Sequence, residues 1–189
     1  MIYVLMPYAP INHHKNLGFI YNEYMNLLPN DDDYAVLCDH DMMFTTYNWY
    51  RQIEEIIKNY GNDSQIGMFV PRTNRLWYDY QKPTDLKSKM ILQLSNDISI
   101  HREFGVKMEH ENYLKITRYP REGRAAGVMM VVKKAIWKNL KFNDGMLGVD
   151  FSFHDKIRSI NKEVYIMEGI YIYHWYRNNN KNNYSHLLI

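Results

Sequence analysis

Asp39-His40-Asp41 closes the apolar run Tyr34-Ala35-Val36-Leu37-Cys38, and this triplet carries the most chemistry in the chain. Five apolar residues in a row read as a central strand covered on both faces. In open α/β sheets, ligands gather beyond the carboxyl ends of the strands. Two carboxylates at i and i+2 can turn there toward one point. A hard divalent cation takes oxygen ligands of that kind and completes its shell with a substrate's phosphates. Acids at a strand end also occur simply as solvated groups, so the weight of this pair comes from its place after a buried strand. A further carboxylate, Asp150 in Gly148-Val149-Asp150, opens a helix. In a first turn it complements the helix dipole, and facing a cleft it is equally suited to take a proton from a hydroxyl. His174, in Tyr171-Ile172-Tyr173-His174-Trp175, ends the last apolar stretch. Both a packed histidine and a borderline metal ligand fit that position.

Elements of an α/β domain must position these groups, because apolar runs alternate with stretches of helical period. Residues 2–6 predict a buried first strand and 15–28 a helix stopped by Pro29-Asn30. After the 34–38 strand, a helix is expected over 47–60, capped by Thr45 or Thr46 and ended by Gly61. Residues 66–70 predict a strand closed by Pro71. Residues 72–124 read as a polar, aromatic-bearing excursion, with Leu86, Met90, Leu94 and Ile98 marking one amphipathic helix. A strand at 127–132, a helix at 134–140, a helix at 149–160 and two strands at 164–167 and 170–173 complete the expected order. The stretch 177–189 is an Asn-rich tail.

Composition narrows the classes. With 189 residues, the chain has the length of one domain. Lys and Arg number 23 against 21 Asp and Glu, a formal charge of +2. That balance argues against a wholesale grip on nucleic acid or anionic lipid. The single cysteine, Cys38, excludes an intrachain disulfide and a Cys-rich zinc site. No run of 18 apolar residues occurs, and Met1-Ile2-Tyr3-Val4-Leu5-Met6-Pro7 lacks the basic lead-in of a signal peptide, so no membrane span and a cytoplasmic location are expected.

Taken in order, these parts resemble a compact GT-A glycosyltransferase, most closely the family 2 type that uses nucleotide-diphosphate sugars. Gly18-Phe19-Ile20-Tyr21-Asn22 is similar to the family's Gly-x-x-x-Asn helix, and Tyr34–Asp41 to its strand ending in D-x-D. Ile66-Gly67-Met68-Phe69-Val70-Pro71 and Gly127-Val128-Met129-Met130-Val131-Val132 resemble the family's later strands. Phe142-Asn143-Asp144-Gly145-Met146-Leu147-Gly148-Val149-Asp150 resembles the segment that carries the base. The resemblance implies one GT-A (Rossmann-like) domain over 1–176, with a mixed central sheet flanked by helices and 72–124 as a variable acceptor-side region. It implies Mn²⁺ or Mg²⁺ on Asp39, Asp41 and His174, with the donor a UDP- or GDP-sugar. Asp150 is the implied general base toward an acceptor hydroxyl, with inversion at the anomeric carbon. Pro7, Tyr8 and Asn22 join Asp39 and Asp41 on the nucleotide side, and His13 or Lys15 would approach phosphate. The Gln-x-x-Arg-Trp motif of processive synthases is absent.

Other readings make other demands. A haloacid-dehalogenase-like phosphatase would use Asp39 as nucleophile with Asp41, but it wants Thr or Val where Met43 stands. A non-catalytic nucleotide-sugar-binding module would have no need of Asp150. Nucleic acid enters only as an acceptor carrying a modified base, approached through the basic stretch of Arg118, Arg121 and Arg124. Trp77, Tyr78 and Tyr80 suit either stacking on a sugar or base or packing a loop.

Overall fold

Alternation along a few central strands organises the molecule. In the computed structural model, which describes residues 1–8 and 15–175, Ala35 and Leu37 of β2 (Tyr34–Cys38) face one apolar cluster. Tyr34, Val36 and Cys38 face another. β4 (Ile66–Thr73) and β6 (Met129–Lys133) divide in the same way, Met68, Val70, Met130 and Val132 against Phe69, Met129 and Val131. Side chains alternate across a strand, so continuous apolar runs mean cover on both faces. On the first face lie α1 (Leu17–Asn26), α5 (Lys134–Leu140) and α6 (Val149–Ser159), and on the second lies α2 (Trp49–Tyr60).

With β1 (Ile2–Leu5), β3 (Met42–Phe44), β5 (Ile116–Arg118) and β7 (Glu163–His174), the strands form an open sheet in the order β1-β2-β6-β4-β7-β3, β5 also pairing with β7. β1–β2 and β4–β7 are parallel and the other pairs antiparallel, so the sheet is mixed as expected. No helix among the described residues is long and apolar enough to cross a membrane.

β7 corrects the expectation of two separate strands. One step along β4, from Pro71 to Arg72, corresponds to four along β7, from Met167 to Tyr171. The extra residues, Glu168-Gly169-Ile170, form a bulge, and an odd insertion reverses which face each later residue addresses. Val164 and Ile166 accordingly sit in the first cluster, while Ile170 and Ile172 sit in the second. The bulge thereby sets the side on which His174 emerges. Gly169 fits because a Cβ there would lie 2.4 Å from Gln52 Oε1 and 2.7 Å from the Asn112 carbonyl.

Other expectations shift as well. β1 is an edge strand with Val4 45% exposed, not a buried one. β4 runs through Pro71, which lies past the residues of β4 that pair with β6, where a missing N–H costs less. Asn48, not Thr45 or Thr46, precedes α2. Those two threonines are buried, Thr45 donating to the Tyr171 carbonyl and Thr46 accepting from the Tyr171 N–H. Residues 72–124 hold two helices, α3 (Leu86–Leu94) and α4 (Ile98–Asn112), and strand β5. The C-terminal tail and residues 9–14, including His13, lie outside the described residues.

Candidate metal centre

β2 delivers Asp39 to the end of the sheet, where its N–H donates to the Val128 carbonyl at 3.0 Å. The chain turns through His40 and Asp41 directly into β3. That short strand pairs antiparallel with the end of β7, Met42 opposite His174, and the Trp175 N–H donates to the Asp41 carbonyl at 2.9 Å. Strand pairing thus draws together residues far apart in sequence. Ligand atoms of Asp39, Asp41 and His174 all lie within 4.8 Å of one another.

The setting of His174 fits this trio to a cation. Its Nδ1 lies 2.9 Å from the Arg75 carbonyl, which only accepts, so Nδ1 carries the proton. In the neutral ring Nε2 then presents its lone pair, 3.3 Å from Asp41 Oδ1. Two acceptors so placed repel unless a proton or a cation lies between them. A backbone carbonyl behind a histidine is the usual device for orienting a metal ligand. The Asn74 side chain adds a second hold, accepting from the His174 N–H at 2.7 Å.

Asp39 accepts from the Tyr21 hydroxyl at 3.1 Å. Burial and then the charge of Asp41 push its carboxyl up to about 6, against the opposing pull of His174 and Tyr21. Burial raises Asp41 too, but when Nε2 carries a proton in place of a cation, the hydrogen bond and charge of His174 outweigh burial and hold this carboxyl below its ordinary value. Tyr21 is held well above the ordinary phenol range by its burial and by Asp39.

Asp150 stands at the start of α6, after Gly148 in the left-handed region at φ 71°. Its Oδ2 accepts from the Gly127 N–H at 2.7 Å and its Oδ1 from the Phe151 N–H at 2.9 Å. A Cβ on Gly127 would come within 2.7 Å of the Asp150 Cβ, so glycine is needed for this approach. Burial raises the Asp150 carboxyl against these N–H donors. The residue is near enough to Asp39 for its charge to raise that group as well.

The other expected site residues are more scattered. Asn22 is spent on protein partners: its Oδ1 accepts from Trp137 Nε1 and the Phe142 N–H, and its Nδ2 donates to the Phe142 carbonyl. Gly18, one turn earlier, donates to the Gly145 carbonyl, and a Cβ there would overlap the Asn143 carbonyl. The Gly18–Asn22 pair therefore locks α1 to the segment leading to Asp150. Tyr8 is exposed, its N–H donating to the Tyr24 hydroxyl, and Pro7 is half-buried beside it. Tyr78 packs edge-on against Phe151, next to Asp150, whereas Tyr80 packs on Tyr119 and Trp77 faces outward. Arg118 and Arg124 pair with Glu163 and Asp155, and Arg121 approaches Glu163.

Three contributors escaped the sequence reading: Tyr21, Asn74 and Arg75. Tyr21 carried a signal, standing beside Asn22 in the quoted helix motif. Asn74 and Arg75 carried none, since they act largely through strand-end geometry. No family model matches the chain, and no curated protein does.

Proposed function

We propose that the protein is a cytoplasmic, metal-dependent glycosyltransferase that moves a sugar from a nucleotide-diphosphate donor to an acceptor hydroxyl. The observation that carries this reading is the convergence of Asp39, Asp41 and His174 within 4.8 Å, beside a carboxylate on a separate element. Those three residues would hold Mn²⁺ or Mg²⁺, oxygen-rich with one imidazole. Bound there, the cation supplies Lewis-acid neutralisation of the charge on a departing diphosphate. Tyr21 fixes the Asp39 carboxylate, and the Arg75 carbonyl fixes the imidazole tautomer. Asp150 takes the acceptor's proton through a lone pair not engaged by Gly127 or Phe151. Attack from the face opposite the leaving group inverts the anomeric centre. Pro7 and Tyr8 line the nucleotide side.

A panel of UDP- and GDP-sugars with Mn²⁺, read by thermal stabilisation and by donor hydrolysis, tests the reading. Ligand that binds only the folded state raises Tm with concentration. At least one donor should stabilise the wild type, and Asp41→Ala should lose most of that response. Asp150→Asn should keep the stabilisation while transfer falls by about 10²–10⁴-fold, the usual contribution of a general base. Equal stabilisation of Asp41→Ala, or undiminished turnover by Asp150→Asn, would overturn the assignment.

A further inference from the structure

Away from the metal centre, a cavity of about 690 Å³ opens between the 79–85 loop, α4, β5 and the first part of β7. Asp39, Asp41, Asp150 and His174 are not among its walls. Its size lies within the range of sites that take small organic ligands, roughly 300–1,000 Å³.

The floor is charged and itself buried. Arg72 makes a two-bond pair with Glu168, both contacts at 2.7 Å, and neither residue is more than 7% exposed. The bulge in β7 turns Glu168 into this position, where Thr117 also donates to it. Lys82 is 5% exposed, with its ammonium 2.8 Å from Asp79. Lys89 shares that same carboxylate, so two cations here are matched by one anion. Across the whole lining, six residues are Lys or Arg and four are Asp or Glu, and one of the six, Arg118, is answered by Glu163 outside it. Lys107, whose charge helps lower the Asp85 carboxyl, and Lys115, whose ammonium lies 3.5 Å from Asn112 Oδ1, complete the basic side of the lining. Phe104, Met108 and Ile166 supply an apolar wall.

We infer that this cavity is a second ligand site, independent of the metal, for a small organic anion. The anionic head, phosphate or carboxylate, is answered by Lys82, Lys107 and Lys115, and the body packs against Phe104, Met108 and Ile166. Lys82, itself buried, acts through a lower effective dielectric than at an open surface, which favours a charged head over water, and the exposed Lys107 and Lys115 add to its charge. The apolar wall selects an organic anion over a bare inorganic one.

Isothermal titration in EDTA with phenyl phosphate, benzoate, inorganic phosphate and benzyl alcohol tests this. Phenyl phosphate or benzoate should bind in the roughly millimolar range or better, and the two arms distinguish a phosphate head from a carboxylate. Lys107→Glu/Lys115→Glu, at exposed positions, should weaken binding by about tenfold or more. Met108→Trp should reduce it by filling the space, and Asp41→Ala should leave it unchanged. The inference is overturned if neither organic anion binds, or if both lysine and Met108 variants bind like wild type. It is also overturned if benzyl alcohol or inorganic phosphate binds as tightly as the organic anions, or if Asp41→Ala abolishes binding.

Discussion

On the side of the sheet facing α1, α5 and α6, the interior is largely hydrocarbon. Met25, Leu28, Trp137, Phe142, Phe153 and Ile157 close over Ala35, Leu37, Met130 and Val132. Around β4, the bulge of β7 and α4, the interior is polar instead, with Arg72, Arg75, Gln81, Lys82, His101 and Glu168 all buried. The first region draws its stability from apolar area removed from water, a non-directional effect that tolerates repacking. The second depends on each donor meeting its acceptor, because a buried charge without a partner is costly. The polar region also supplies the groups that orient His174, Asn74 and Arg75. Precision at the site therefore rests on the less forgiving half.

Breaking the buried pair should produce the largest effect. Arg72→Met is expected to cost about 3–5 kcal/mol in urea unfolding, since Glu168 is left charged and unmatched. The double variant Arg72→Met/Glu168→Leu should regain part of that loss, the remainder being the two hydrogen bonds that Arg72 gives to the Tyr80 and Lys82 carbonyls. A double variant as damaged as the single one would erase the contrast drawn above. On the hydrocarbon side, Met25→Ala should cost about 2–5 kcal/mol, and Met25→Leu less than about 1.5 kcal/mol. If Leu proves as harmful as Ala, this side is no more tolerant than the other.

Acid sharpens the comparison with a smaller effect. Burial, and then the nearby Arg75, hold His101 down to about 4, although the Ser95 carbonyl and Asp97 favour its charge. His154 is likewise pushed down to about 4 by burial and by Arg158 and Arg124, with Asp155 opposing. Each already accepts at Nδ1, His101 from the Tyr171 hydroxyl and His154 from the Ala125 N–H. A second ring proton therefore displaces the bond at His154, whose partner can only donate, and at His101 forces the Tyr171 hydroxyl to turn and accept. Both rings take up protons in the unfolded chain near pH 6.5 but not in the folded one. Their contribution is thus constant above that pH and is lost as pH falls toward 4. Each should steepen the decline by about 1.4 kcal/mol per pH unit in that window. Denaturant titrations at pH 7 and pH 5 should show His154→Gln losing less stability on acidification than wild type. Parallel losses would contradict the buried neutral ring.

Legibility in the sequence follows the same division. β2, β6 and the helices over 134–140 and 149–159 were readable because their side chains obey one period and meet hydrocarbon. The D-x-D pair was readable through the strand before it. α4 was not, because it buries only His101, Phe104 and Gly105 in a narrow stripe. β3 has three residues and no pattern of its own, and it exists because β7 offers it an edge. The two strands expected at 164–167 and 170–173 left a break between them, but the meaning of that break, a reversal of faces that carries His174 to its side, needs the register with β4. Asn22 is a motif residue whose side chain holds α1 to Trp137 and Phe142 through hydrogen bonds the sequence does not display.

The most direct measurement is Mn²⁺ binding followed by electron paramagnetic resonance on the wild type, Asp41→Ala, His174→Ala and Asn74→Ala. One ion per chain is expected, strongly weakened by loss of Asp41 or His174. Loss of Asn74, which accepts from the His174 backbone N–H and so places the strand end that carries the ring, should weaken it less than loss of either ligand. A wild type that leaves Mn²⁺ free in solution, or an Asp41→Ala protein that holds it equally well, would contradict the shared cation site.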